Sequence, residues 1–216
     1  MPQICVIFAA GDCNGTVTIP DNAFIIAADG GLEHTDARGI TPDLIIGDFD
    51  SYDETAVKRE HITVPVKKDE TDLYLAMREG YARGFREFVV YGALGGKRLS
   101  HTVANIAHTA LFTQKGCRVK LMSDNGYVTA LYADGPSPAF LSFPAGSSGY
   151  VSVFAFGGKA EGITLENLLY PLNDGTLEPS FPLGVSNEFT GKEARVILKR
   201  GTLIIITEEN DHHEKA

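Results

Sequence analysis

Short apolar runs separated by longer amphipathic stretches organise the first 124 residues. QICVIFA (3–9), AFIIAAD (23–29), DLIIGD (43–48), ITVPV (62–66), EFVVYGA (87–93) and RVKLMSD (118–124) are each of strand length and rich in β-branched and aromatic residues. Two helices lie between the last three. TDLYLAMREGYARG opens at Thr71, whose hydroxyl suits an N-cap, and closes at Gly84. SHTVANIAHTALFTQKG begins near Ser100, places Val103, Ile106, Ala107, Ala110 and Leu111 on one stripe, and closes at Gly116. Strand, helix and strand at this spacing make parallel βαβ units. The pattern predicts an α/β domain with a mainly parallel sheet over residues 1–130.

The pattern then changes. Pro136, Pro138, Pro144 and Gly146 punctuate the chain, and β-type runs follow around YVSVFAF (150–156), GITLENLLY (162–170), FTGKEARVILK (189–199) and TLIIIT (202–207) with no long helix. An all-β antiparallel sandwich or small barrel is expected over 131–216, with the break between 124 and 136.

Charge narrows the choice of partners. The chain carries 28 acids against 19 bases, a net −9, which argues against a non-specific binder of nucleic acid or an anionic membrane. The first 72 residues hold 14 acids and 5 bases, leaving 14 of each for the rest, so the whole net charge lies in the first third. No run approaches the roughly 18 apolar residues of a membrane span, and the first apolar run lacks a basic flank, so a cytoplasmic protein is expected. Cys5, Cys13 and Cys117 form no CxxC pair and fit reduced thiols.

The acids gather where chemistry is expected. Ligands of doubly wound α/β domains bind outside the carboxyl ends of the strands. Asp29, followed by Gly30 and Gly31, ends the second run; Asp48 and Asp50 end the third; Asp69 and Asp72 follow the fourth. Two carboxylates ~5 Å apart repel by roughly 3 kcal/mol at an effective dielectric of 20, so a converged cluster needs a cation. Hard oxygen ligands favour Mg²⁺ bridged to substrate phosphates. Asp72 alone reads equally well as an acid of a first helical turn.

A glycine-rich stretch, YGALGGKRLSHTVANI (91–106), follows the fifth run. It suits a phosphate-binding turn or a plain strand-to-helix turn, and it is not a Walker A loop, because Gly92 and Gly96 are too close and Lys97 is followed by Arg98. In the first reading Gly95 and Gly96 let backbone N–H groups approach phosphate while Lys97 and Arg98 supply cations. His101, Asn105 and His108 share one helix face without zinc-ligand company.

Together these motifs resemble one family. AADGG, GITPDLIIGDFDS, KDETDLYLA, GGKRLSHTVANI, LYPLNDGTL and GVSNEF occur in the order found in thiamine pyrophosphokinases and span most of 27–189. The resemblance implies a catalytic α/β domain, a β-sandwich that helps bind thiamine, and a homodimer with active sites between subunits. It implies transfer of pyrophosphate from ATP to thiamine with Mg²⁺, giving AMP and thiamine diphosphate. By matched position, Asp48, Asp50 and Asp72 would be the metal and catalytic acids. Asp29, Gly30, Gly31, Asp69, Gly95, Gly96, Lys97, Arg98, Ser100, His101 and Asn105 would bind ATP, and Thr71, Ser186 and Asn187 would bind thiamine. Two departures stand out. The family's loop reads Arg, hydrophobe, Asp, His where this chain has Ser100, which can cap a helix or bond phosphate but carries no charge. The chain has no Trp, so Phe189 or a nearby Tyr is the candidate to stack on thiamine, or Phe189 is sandwich core. Another Mg²⁺-dependent phosphotransferase, or a nucleotide or thiamine sensor without turnover, are the alternatives.

Overall fold

The computed structural model describes residues 4–47, 60–63 and 70–209, and the chain divides into two compact units, Met1–Asp124 and Asn125–Ala216. In the first unit the strands are β1 (Ile4–Phe8), β2 (Phe24–Ala28), β3 (Leu44–Gly47), β4 (His61–Thr63), β5 (Glu87–Tyr91) and β6 (Arg118–Ser123). They lie in the order β4-β3-β2-β1-β5-β6, and every pairing within this set is parallel. The expected strand continuation over 64–66 lies outside the described residues. β1 is central. Cys5, Val6, Ile7 and Phe8 are fully buried, as an uninterrupted apolar run in a parallel sheet covered on both faces should be.

Among the described residues three helices connect the strands: α1 (Gly31–Asp36), α2 (Asp72–Ala82) and α3 (Leu99–Gln114). α1 escaped the sequence pattern because six residues make less than two turns of periodicity. α2 follows its pattern closely. Thr71 is extended at the N-cap and its Oγ1 accepts from the Tyr74 N–H at 3.2 Å, while Leu73, Ala76, Met77 and Gly80 form the buried stripe. Both long helices close in Schellman motifs. Phe85 N–H donates to Gly80 O and Gly84 N–H to Tyr81 O; Cys117 N–H donates to Phe112 O and Gly116 N–H to Thr113 O.

α3 departs from expectation. Of the apolar stripe, Val103 is 59% exposed and only Ala110 is fully buried. The buried face instead carries Asn105, Thr109, Ala110 and Phe112. Polar residues go inside because they are satisfied there: Asn105 Nδ2 donates to Ala93 O at 2.7 Å and Thr109 Oγ1 donates to Asn105 O at 3.0 Å. Ser100 is not the cap. Arg98 occupies the N-cap without a side-chain cap bond, and Ser100 is the second helical residue.

The second unit is all-β: β7 (Gly126–Ala133), β8 (Ala139–Phe143), β9 (Tyr150–Ala155), β10 (Ala160–Glu166), β11 (Leu172–Leu177), β12 (Gly184–Glu188), β13 (Ala194–Leu198) and β14 (Gly201–Glu208). Two antiparallel groups, β12-β9-β14-β7 and β11-β10-β13-β8, share one core that includes Phe143, Val151, Val153, Ile163, Leu165, Val196, Leu198, Leu203 and Ile205. β13 alternates cleanly, with Ala194, Val196 and Leu198 inside. The division after Asp124 sits at the near edge of the break expected between 124 and 136, and β7, which pairs with β14 in register from Gly126 to Ala133, lies wholly in the second unit. The three cysteines are free and buried. No described helix is long and apolar enough to cross a membrane.

Candidate active site

In the strand order of the α/β unit, the chain steps from β1 to β2 on one side and later returns to place β5 on the other. The carboxyl ends of β1 and β5 therefore flank the topological switch point, where neighbouring loops diverge and leave a crevice. A cavity of about 490 Å³ opens there. Its walls come from the loop after β1 (Ala9 to Asn14), the end of β2 (Ala28, Asp29, Gly30), Glu33 and His34 of α1, the start of α2 (Thr71, Asp72, Leu73), the loop after β5 and its continuation (Gly92, Ala93, Gly95, Gly96, Lys97, Arg98), and His101 and Asn105 of α3.

Each wall has a local cause. Asp29 turns the chain out of β2 with φ at 49°, its N–H donating to Ile46 O at 2.7 Å, so the carboxylate leaves at the strand's end. Asp72 is held by the Thr71 cap in the first turn of α2, where the helix dipole favours negative charge. Asn105 carries the loop after β5 through its bond to Ala93 O. Among the described residues four acids (Asp12, Asp29, Glu33 and Asp72) and two permanent cations, Lys97 and Arg98, line one space.

Thr71 also meets His108. Its Oγ1 lies 3.2 Å from His108 Nε2, and the Tyr74 ring packs against the imidazole at a tilt of 49°, centroids 5.2 Å apart. The hydroxyl oxygen already accepts from Tyr74 N–H, so its proton is available for a neutral His108 Nε2. Burial holds the His108 pKa below its ordinary value. The folded state thus binds fewer protons than an unfolded chain titrating near 6.5, and stability rises with pH through that window. Urea midpoints are expected to fall as pH drops from about 6.5 to 5, and to fall less steeply in His108→Gln. Equal slopes in the two proteins would show that His108 is not desolvated.

The expected site residues divide into four groups. Asp29, Gly30, Thr71, Asp72, Gly95, Gly96, Lys97, Arg98, His101 and Asn105 all line the cavity. Gly31 and Ser100 do not: the first is buried at the start of α1 and the second is exposed in the first turn of α3. Asp48, Asp50 and Asp69 lie outside the described residues. Ser186 and Asn187 belong to β12 of the second unit. There Asn187 lines an apolar cavity of about 370 Å³ with Tyr170, Leu183 and Val185. Its amide is largely committed to backbone: Oδ1 accepts from Tyr170 N–H and Glu188 N–H, and Nδ2 donates to Tyr170 O at 2.7 Å. Ser186 sits in a left-handed conformation and its N–H donates to Ser152 Oγ. Phe189 is partly buried and packs against the core, edge-on to Phe143 at 5.0 Å; Tyr170, 63% exposed, is the aromatic that lines this cavity.

Gly11, Asp12, Cys13, Asn14, Glu33 and His34 line the α/β cavity without having been expected there. The sequence does carry a signal for the first four: GDCNG is a cluster of turn-formers directly after the most buried strand.

Two family models match the chain: the thiamin pyrophosphokinase catalytic domain over residues 18–121 and the thiamin pyrophosphokinase vitamin B1 binding domain over 142–203. The chain belongs to the thiamin pyrophosphokinase family. It is an enzyme that uses ATP to pyrophosphorylate thiamine. Solved structures share the fold across nearly all of the chain. Thiamine pyrophosphokinase from Bacillus subtilis aligns with a TM-score of 0.83 at 23% identity, covering 97% of this chain and 100% of its own. Thiamin pyrophosphokinase from Candida albicans aligns at 0.74 and 15% identity, covering 97% and 90%. A protein from Lactobacillus plantarum aligns at 0.76 and 25% identity, covering 97% and 100%. No curated protein sequence matches the chain at a significant level. The two matched segments fall one in each compact unit: the cavity at the switch point lies in the unit that carries the catalytic segment, with its walls from Ala28 to Asn105 inside the match and Ala9 to Asn14 ahead of it, and β12 lies in the vitamin-binding segment.

Proposed function

We propose that the switch-point cavity holds the triphosphate of ATP and that Asp72 acts there with Asp48 and Asp50 as the metal and phosphate-handling acids, flanked by Asp29 and Asp69. The observation that carries this reading is the joint placement of Asp29, Asp72, Lys97 and Arg98 around one cavity at the carboxyl ends of a parallel sheet. The donor set fits Mg²⁺. Among the described residues no three metal-ligating side chains form a cage, and Mg²⁺ needs none, since it binds through one or two carboxylates, waters and substrate phosphates. When bound, Mg²⁺ neutralises triphosphate charge and polarises the phosphoryl oxygens.

The chain's own groups then do the rest. Gly95 and Gly96 bring backbone close to the phosphates, with Gly30 beside them, while Lys97 and Arg98 neutralise oxygens and Arg98 bonds two of them at once. His101 and Asn105 line the nucleotide side. The thiamine hydroxyl oxygen forms a bond to the β-phosphorus as the bond to the α-phosphate oxygen breaks, and AMP leaves with that electron pair. Asp50 or Asp72 takes the hydroxyl proton. Thiamine is received by Thr71 and by Ser186 and Asn187 of β12, in a cytoplasmic homodimer whose sites lie between subunits.

The test is to supply the purified chain with ATP, thiamine and Mg²⁺. AMP and thiamine diphosphate in equal amounts are expected, falling to background on chelation. ADP with thiamine monophosphate, or binding without product, would overturn the reading. Sedimentation at micromolar concentration checks the dimer.

A further inference from the structure

A carboxylate on the wall of a triphosphate cavity repels its ligand, so Asp12 calls for a reason to be there. Its bonds supply one. Asp12 Oδ2 accepts from Gly96 N–H at 2.7 Å, Asp12 N–H donates to Leu94 O at 3.1 Å, and Gly11 N–H donates to Gly92 O at 2.7 Å. The loop after β1 is thus clasped to the loop after β5. Lys97 and Arg98 follow immediately, and Gly95 to Ser100 are all exposed, so packing does not set their position.

The loop's backbone is one that needs an external hold. Gly95 and Gly96 are successive left-handed residues with φ at 71° and 78°, a conformation open to many alternatives in free glycine. A methyl group on Gly95 would lie 2.2 Å from Asp12 Oδ2. The carboxylate and the bare glycine therefore fit each other. On its other side Asp12 rests on a fixed platform: His34 Nε2 bonds Gly11 O at 2.8 Å, the Arg38 guanidinium donates to Cys13 O, and Asp124 Oδ1 accepts from Asn14 and Gly15 N–H at 3.2 and 2.8 Å.

We infer that Asp12 is a positioning residue for the triphosphate, its carboxylate fixing the glycine loop so that Lys97 and Arg98 are presented to phosphate. The inference rests on this cavity being the ATP site. It assigns Asp12 a role as hydrogen-bond acceptor, which an amide oxygen can also fill.

Titration calorimetry with MgATP and separately with thiamine tests this without requiring turnover. Asp12→Ala is expected to weaken MgATP about tenfold or more while thiamine affinity stays within about twofold, the size of a lost hydrogen bond to a charged group. Asp12→Asn should recover most of that loss, and Gly95→Ala should reproduce the alanine defect by displacing the carboxylate. Wild-type MgATP affinity in Asp12→Ala overturns the inference, and so does an Asp12→Asn variant as weak as Asp12→Ala. Equal weakening of both ligands with a lowered melting midpoint assigns Asp12 to general stability and also overturns it. Normal MgATP binding by the wild type without product defeats the proposed function while leaving this inference standing, so the two failures are distinct.

Discussion

Asp72→Asn is expected to lower the rate of thiamine diphosphate formation by about 10³-fold while the protein melts within a few degrees of the wild type. The two side chains have the same shape, and Asp72 is only half-buried, so the substitution opens no cavity and forces no overlap. What disappears is a negative charge on the cavity wall, at the first residue of α2. Its structural worth as a first-turn acid is about 0.3–1 kcal/mol. Its worth to a pyrophosphoryl transfer is larger: removing one preorganised electrostatic group from an active site costs about 10²–10³ in kcat, and the role proposed for Asp72 toward the metal puts the loss at the upper end. Coupled measurement of AMP release and thermal melting separates the two. A variant within about threefold of wild-type turnover would remove Asp72 from the metal and phosphate set.

The largest stability effect is expected at Gly31. It opens α1 directly over β1, and a methyl group there would sit 1.9 Å from Phe8 O and 2.4 Å from Phe8 C. Phe8 cannot give way: it is fully buried, and β1 is hydrogen-bonded to β2 on one side and β5 on the other. Either α1 lifts from the sheet or the sheet's central strand shifts. Overpacking of this kind costs about 3 kcal/mol or more, a large share of the roughly 5–15 kcal/mol that holds a protein folded. Gly31→Ala should therefore lower the melting midpoint by about 6–12 °C or abolish soluble expression. Gly158→Ala is the control, because its added methyl meets nothing within 4 Å. If both variants melted with the wild type, the close approach of α1 to β1 would be wrong.

These two residues also mark how much of the site the sequence made legible. Asp72 could be placed because a cap, an acid and an apolar stripe lie within one helical turn of each other, and local order of that kind is written in adjacent residues. Gly31 was visible as part of a motif, yet its physical duty, clearing the backbone of β1, involves residues 23 positions apart. Asp12 was invisible as a site residue. Its partner Gly96 lies 84 positions away, and no local pattern ties an acid in one loop to an amide in another.

Sequence by itself determined the parallel strands of the first unit, the cap of α2, the glycine closures of α2 and α3, the all-β character of the second unit, and the family. Each rests on short-range chemistry: apolar periodicity, a hydroxyl before a helix, glycine after one, acids at strand ends. Tertiary structure alone decided which face of α3 is buried, because Asn105 and Thr109 become acceptable inside only once Ala93 O and the helix's own carbonyl satisfy them. It alone narrowed the division of the chain to Asp124 within the 124–136 stretch, because β7 is defined by its pairing with β14 some 75 residues later rather than by its own composition. And it alone brought the loop after β1 into the cavity, because the switch point exists only when the strands are laid side by side.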